Sequence, residues 1–441
     1  MTHQTLKEEP VKRRIAVAAG LAAALLGTAA CGGSDSGDDS SAALDGKGKT
    51  LKVWLMVDAQ SSWKEIVDDA NARFTAATGA SVSVEYQQWA NHLTKLDATL
   101  AGNDVPDVIE LGNTEMPKYV FSGAFGELDK ATFDNSANWL KGLSGPCELD
   151  GKTYCVPYYA GARVLIYRTD LFDASGVKPP TSYSELTAAA DTLKAKNGSN
   201  NKFAAFYMPG AYWYAAMSWV YAEGGQIAKK DGDKWVGTLA EPTAQAGLTK
   251  WADVVKKYSS GDITKDENDQ AAIFAQGQAA MFYGNGWEAG AAQEQRKDPN
   301  DPNSELVATK VKGKVASAPL PGIPSFLGSS NLGVASKSKN QALAAEWIKT
   351  FTDTKAQEAL LGKGVLPNAT NLLDKAATVK GNEATALAAK SSWFVPMAEK
   401  WADVEKAGVL QQMLRDIVTG KRSVADATMW ADTEIAKILN G

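Results

Sequence analysis

From Thr50 onward the chain alternates between two apolar periods. "LKVWLMV" has the pattern of a buried strand. Trp63, Ile66, Val67, Ala70 and Phe74 then recur at helical spacing until Gly79, with Ser62 and Glu65 placed as a capping box. "SVSVEY" alternates as a strand, Asn91 stands where it would cap a helix through Leu100, and "PDVIEL" reads as a third strand. "GNTEMPKYVFSGAFGEL" turns into a helix that ends at Gly123. The order βαβαβ predicts a parallel sheet covered by helices on both faces. Such sheets place ligand crevices at the carboxyl ends of their strands. The loops there carry Asp58, then Gln87, Gln88 and Trp89, then Asn113, Thr114 and Glu115.

A second series follows. "CVPYYAGARVLIYRTDLF" is a long extended stretch with Gly161 in its middle, and Tyr158 and Tyr159 point to opposite sides of it. "TSYSELTAAADTL" reads as a helix with Ser182 and Glu185 as a capping box, and "KFAAFYMPG" as a strand. "YWYAAMSWVYAEGG" is a helix that opens on three aromatics. "TAQAGLTKWADVVKKY" is another helix, "AAIFAQGQAAMFYGNGW" a helix and then a strand, and "GKVASAPLPG" a strand. "SNLGVAS" precedes the helix "NQALAAEWIKTFT", and the last third is mostly helical. Trp54, Trp251 and Trp347 have core spacing.

The 441 residues exceed one ordinary core, so two or more domains are expected. The net charge of -5 and the absence of a basic patch argue against a nucleic-acid partner. Residues 1–30 read as an export signal rather than structure. Lys7, Lys12, Arg13 and Arg14 precede an apolar stretch from Ile15 to Ala30, shorter than the ~20 residues a membrane span needs. "LLGTAACGG" resembles a lipobox whose Cys31 becomes the lipidated first residue, although Thr28 stands where a leucine is usual. The alternative is plain cleavage near Ala30. Residues 31–49 are Ser-, Gly- and Asp-rich and are expected to form a flexible tether. Cys147 and Cys155 flank the turn signal Asp150-Gly151, so a disulfide across a hairpin is predicted for an oxidising compartment.

Histidine is scarce. Only His3 and His92 are present, and His3 leaves with the signal, so a Ser-His-Asp triad or a multi-histidine metal site would have to use His92. "YGNGWEAG" misses the dinucleotide fingerprint by one residue and places Trp287 where backbone should approach phosphate. "DPNDPN" and "KDENDQ" lack the glycine and terminal glutamate of a calcium loop and read as solvated loops. No pair of carboxylates is marked out for catalysis, and no cofactor or metal is predicted. Aromatic rings and amides gathered at strand ends suit a sugar, whose C–H faces stack on rings while its hydroxyls take polar groups.

"LKVWLMVD", "FTAATGASVSVEY", "PDVIELGN", "SGAFGEL", "GKTYCVPYYAGARVLIYRTDLF", "AMFYGNGWEAG", "SNLGVASKSKN" and "GVLPN" occur in an order that resembles the substrate-binding lipoproteins of carbohydrate ABC importers, the group of maltose-binding protein. "VEYQQW", "ELGNTEMPKY", "GNGWE" and "FLGSSNLGVAS" look most like the actinomycete binding proteins for chitobiose and N-acetylglucosamine. The resemblance implies an α/β, two-lobed periplasmic-binding-protein-like fold with discontinuous lobes. It places residues 50–160 and 319–366 in one lobe and 161–318 and 367–441 in the other, with a hinge at Gly161. It implies no enzymatic activity, and a monomer that is lipid-anchored outside the cell, captures an oligosaccharide and delivers it to membrane permease subunits. Trp287 matches the stacking tryptophan of that family. Trp89, Asn113, Glu115, Tyr159, Arg163, Tyr212, Trp213, Glu288, Asn331 and Trp393 are the further ligand-binding candidates. The bland alternatives are core packing for the tryptophans, helix capping for Asn113, Glu115 and Glu288, and a structural ion pair for Arg163. Three rival readings stay open: a secreted glycosidase, the same fold holding a polyamine or organic acid, and a sensor partner of a membrane kinase.

Overall fold

The computed structural model describes residues 44–89, 92–197, 200, 202–267, 269–298 and 304–441. The segment expected to be an export signal, Cys31, most of the expected tether, Asn91 and most of "DPNDPN" lie outside the described residues.

Eight strands form one curled sheet. They are β1 (Thr50–Met56), β2 (Ser81–Gln87), β3 (Val108–Gly112), β4 (Cys155–Arg168), β5 (Met281–Asn285), β6 (Val315–Ala318), β7 (Ser325–Val334) and β8 (Ser392–Trp393). The order is β6-β4-β7-β3-β1-β2, with β5 also paired to β4 and β8 to β7. β2 and β3 flank β1 in parallel, as the βαβαβ pattern predicts. β7 returns antiparallel to both β3 and β4.

β4 ties the molecule together. All fourteen of its residues are buried, which explains its unbroken apolar reading. Its first half, through Ala162, pairs with β7. From Arg163 onward it pairs instead with β5 and β6. The change of partner falls between Ala162 and Arg163. Apolar side chains gather on either side of it. One core joins Val53, Leu55, Phe74, Val108, Leu332 and Trp347. Another joins Trp219, Trp251, Met413, Trp401 and Ile435. A third, with Ala162, Val164, Phe282 and Leu327, runs along β4 itself. Each large side chain fully removed from water contributes about 1.5–3 kcal/mol, so these clusters dominate the stabilisation.

Several local expectations change. Ser62 and Glu65 form no capping box, because Ser62 closes a short helix, Val57–Ser62, and Trp63 holds the cap position of the next helix without a side-chain bond. "KFAAFYMPG" is not a strand: Ala204 and Tyr207 make only isolated bridges to Ala279 and Phe282. The box at Ser182 is half formed. Its hydroxyl accepts the Glu185 N–H at 3.2 Å, while the Glu185 carboxylate takes the Thr181 N–H and hydroxyl instead. Trp54 is only partly buried, since its indole N–H reaches out to Glu85 at 2.9 Å. Trp251 and Trp347 are buried as their spacing predicts.

Cys147 and Cys155 are joined in a disulfide. Asp150 and Gly151, both at positive φ, turn the small hairpin between them. No helix among the described residues is long and apolar enough to cross a membrane.

Candidate ligand-binding site

A cavity of about 510 Å³ opens at the ends of β1 and β3 and beside the partner change in β4. This is within the range of small-molecule sites. Its walls combine rings (Trp63, Trp89, Tyr159, Tyr214, Trp287 and Phe326) with carboxylates (Asp58, Glu115, Glu267 and Glu405) and the amides of Asn113 and Asn285. Trp89 and Trp287 are exposed, at 40% and 46% of their surface. The other eleven tryptophans are buried or partly buried.

The first group of wall residues comes from the carboxyl ends of the parallel strands. Trp89 follows β2, and its indole N–H donates to Asp58, just past β1, at 2.5 Å. Glu115 precedes the helix Met116–Phe121 but does not cap it. Its carboxylate reaches back to accept the Gly112 N–H at 3.1 Å and meets the His92 ring at 3.0 Å. Asn113 donates its amide to the Leu327 carbonyl at 2.9 Å, and so anchors the loop after β3 to β7. Of the two adjacent tyrosines on β4, Tyr159 lines the cavity, while Tyr158 is buried and accepts the Trp63 indole N–H at 2.6 Å.

The second group surrounds Arg163. Its guanidinium lies 4.4 Å from the Tyr214 ring centroid and 5.1 Å from that of Phe326. Nε donates to the Tyr212 hydroxyl at 2.6 Å and Nη2 to Glu267 at 2.9 and 3.1 Å. Nη1 is buried with no hydrogen-bond partner among the described residues. Trp287 stands at the turn after β5, where a Cβ on Gly286 would run into the Thr385 methyl and force it to shift.

Six of the eleven predicted residues line the cavity: Trp89, Asn113, Glu115, Tyr159, Arg163 and Trp287. Five stand behind its wall. Tyr212 is fully buried and supports Arg163. Trp213 packs in the core against Trp393 and Trp401. Trp393 donates to Ser218 at 2.8 Å and stacks on Tyr221. Asn331 donates to the Leu143 carbonyl and is fully buried. Glu288 is buried and accepts the Asn285 N–H at 2.8 Å, which fixes the glycine turn before Trp287. Burial pushes its carboxyl up to about 7. Gly161 lies inside an unbroken β4, directly under the Trp287 ring.

Sequence reasoning missed Tyr214, Phe326, Glu267 and Glu405. Tyr214 had a signal, since it is the third ring of the aromatic run that opens the helix Trp213–Ala222. Glu267 sits in "KDENDQ", read as a solvated loop but folded back onto Arg163. Glu405 comes from the distant helix Trp401–Lys406. It accepts the Trp401 indole N–H at 2.6 Å and the Thr114 hydroxyl at 3.3 Å. Burial, and then the charge of Glu115, push its carboxyl up to about 8.

Residues 69–389 match the family model described as bacterial extracellular solute-binding protein. The chain is 34% identical over 440 residues to the diacetylchitobiose-binding protein DasA of Streptomyces coelicolor, covering 97% of this chain and 99% of that one. Among solved structures it is similar to the GacH receptor of Streptomyces glaucescens, whose structures include complexes with acarbose (TM-score 0.72, 20% identity, 89% of this chain and 98% of that chain). It is equally similar to the sugar-binding protein MalE of Xanthomonas citri (TM-score 0.73, 20% identity, the same coverage). These likenesses give the fold as two-lobed α/β.

Proposed function

The chain belongs to the bacterial extracellular solute-binding proteins, and on that premise we propose that its cleft captures an oligosaccharide for an ABC importer. The best candidate is N,N′-diacetylchitobiose or a related N-acetylglucosamine sugar, the class named for its relative DasA. The observation that carries this reading is the near-neutrality of a wall that is otherwise polar. Arg163 is matched by Glu267, and Lys363 by Glu65. Glu115 meets His92, and Glu405 keeps its proton at pH 7. That leaves Asp58, which accepts the Trp89 indole N–H, as the single wall carboxylate with no ion-pair partner among the described residues, too little charge for a polycation. A polyamine would need unpaired acids and an organic anion unpaired cations. A polyol needs two ring faces and scattered hydrogen-bonding groups, which Trp89, Trp287 and the surrounding amides and hydroxyls supply.

The ligand lies between Trp89, Asn113, Glu115 and Tyr159 on one side and Arg163 and Trp287 on the other. The lobes are residues 50–160 with 319–366 and residues 161–318 with 367–441, crossing near Gly161, Pro319 and Pro367. Contact with both lobes favours the closed form, because a ligand shifts a conformational equilibrium only by its difference in affinity for the two states. The protein acts as a monomer, tethered through lipidated Cys31, and the closed form docks on the permease. No bond in the sugar is broken.

A thermal-shift panel with diacetylchitobiose, N-acetylglucosamine, cellobiose, xylobiose, maltose and spermidine tests this. A ligand that binds only the folded state at a hundredfold excess over Kd stabilises it by about 2.7 kcal/mol. A shift with one sugar, which is then recovered intact, is expected. A shift with spermidine alone, or hydrolysis of the sugar, overturns the reading.

A further inference from the structure

His92 begins the helix His92–Ala101 and is buried beside the cleft. Its ring faces two oxygens. Nδ1 lies 2.7 Å from the Trp89 carbonyl, and Nε2 lies 3.0 Å from Oε2 of Glu115. That same carboxylate oxygen accepts the Gly112 N–H. A backbone carbonyl cannot donate, and neither can an ionised carboxylate. Both ring nitrogens therefore face acceptors, an arrangement that only the doubly protonated ring satisfies. A neutral imidazole would set one lone pair against another. The ring also meets the Trp89 indole edge-on, with centroids 5.5 Å apart.

We propose that His92 is a positioning residue: as an imidazolium it ties the Trp89 wall to Glu115, so that ligand capture is strongest on the acid side and weakens as the ring loses its proton. Trp89 is then held at two points, its indole N–H by Asp58 and its backbone by His92. The tie joins the loop after β2 to the loop after β3, and His92 itself stays buried behind the wall.

The charged groups around the ring agree. Glu115 faces it from the loop after β3, Glu110 from β3 itself, and Asp58 from beyond the indole, while Glu405 faces Glu115. Burial by itself lowers the ring's affinity for protons. The hydrogen bond and charge of Glu115 and the Trp89 carbonyl outweigh it, Glu110 adds its charge as it ionises near pH 7, and the net shift is upward. The tie is therefore complete below the ordinary histidine value of about 6.5 and is lost as pH rises through the higher folded value.

The pH dependence of binding rests on the sugar reading, but the protonation of the ring does not. Nitrogen-15 NMR of the full chain is expected to show one imidazole protonated at both nitrogens at pH 7, and His92→Gln identifies it by removing it. A neutral ring at that pH overturns the proposal whatever the ligand is. Calorimetric titration with diacetylchitobiose from pH 5.5 to 8.5 is expected to show affinity falling roughly tenfold, a difference of about 1.4 kcal/mol. Glu110, Glu288 and Glu405 also titrate in this span, and their contribution is the slope that remains in His92→Gln, which can still donate to Glu115 but cannot titrate; that slope should be shallower than the wild type's. An unchanged slope in that variant overturns the proposal. Failure of the sugar to bind at any pH sinks the ligand reading alone, and the imidazole signals still decide this one.

Discussion

The ring of Trp287 lies over Gly161 so closely that a Cβ on residue 161 would stand 2.8 Å from Cη2 and nearer still to Cζ3. A strand glycine thus makes room for the most exposed tryptophan of the described residues, at the point where β4 changes partners. Gly161→Ala must displace the indole, which is free to swing toward solvent. The expected result is a small change in melting temperature, within about 0.5 kcal/mol, with sugar affinity reduced about tenfold or more. Calorimetry and a thermal melt on one preparation check it. Undiminished affinity would mean that the indole does not need this seat.

Two tryptophans of the candidate set should behave in opposite ways. Trp287 is half exposed, and Trp393 is buried between Phe326 and Tyr221. Trp287→Ala is expected to leave urea stability nearly unchanged and to cost about 2 kcal/mol of ligand binding, as a central aromatic contact does. Trp393→Ala opens a core cavity and should cost about 3–5 kcal/mol of folding stability. If Trp287→Ala unfolds the protein while Trp393→Ala removes only binding, the two roles are reversed.

That contrast marks how far the sequence reads. The parallel frame of β1, β2 and β3 was legible because strand and helix periods alternate cleanly there. Trp287 was legible because a large ring follows glycines at a strand end. The run Tyr212, Trp213, Tyr214 was not: successive helix residues are turned about 100° apart, so only one faces the cleft, and it is Tyr214. Asn331 was misplaced for a similar reason. β7 slips in register between Ser330 and Asn331, so the simple alternation that would assign faces fails at that residue. Glu405 and Glu267 reach the cleft through tertiary contacts that no local pattern encodes.

Arg163 holds a buried charge, and Glu267 is its one acidic partner among the described contacts. Removing that partner strands the cation between Tyr214 and Phe326. Glu267→Ala should cost about 2–3 kcal/mol in urea unfolding, somewhat less than a fully buried pair because Glu267 is partly exposed. Tyr212→Phe removes only the acceptor of the Nε bond and should cost about 1–2 kcal/mol. Equal stability of wild type and Glu267→Ala would show that the ion pair carries no net weight.

Three buried carboxyls give stability a pH dependence of unusual sign. Burial pushes Glu110 and Glu288 up to about 7 and, with the charge of Glu115 nearby, Glu405 up to about 8. In the unfolded chain each titrates near 4.3. Between those values the folded state holds protons that the unfolded state has released, so stability falls as pH rises. This contribution is complete below about pH 4 and gone above about pH 8. Glu405→Gln keeps a neutral group against Trp401 and Thr114 and has nothing to ionise beside Glu115. The excess of its melting temperature over that of the wild type should therefore be much larger at pH 8.5 than at pH 5, and should vanish below about pH 4. Each unit of pKa difference corresponds to about 1.4 kcal/mol, so the gain is large enough to read in a single pair of melts. A gain of equal size at both pH values would assign it to packing, and Glu405 would then be an ordinary ionised carboxylate of the cleft wall.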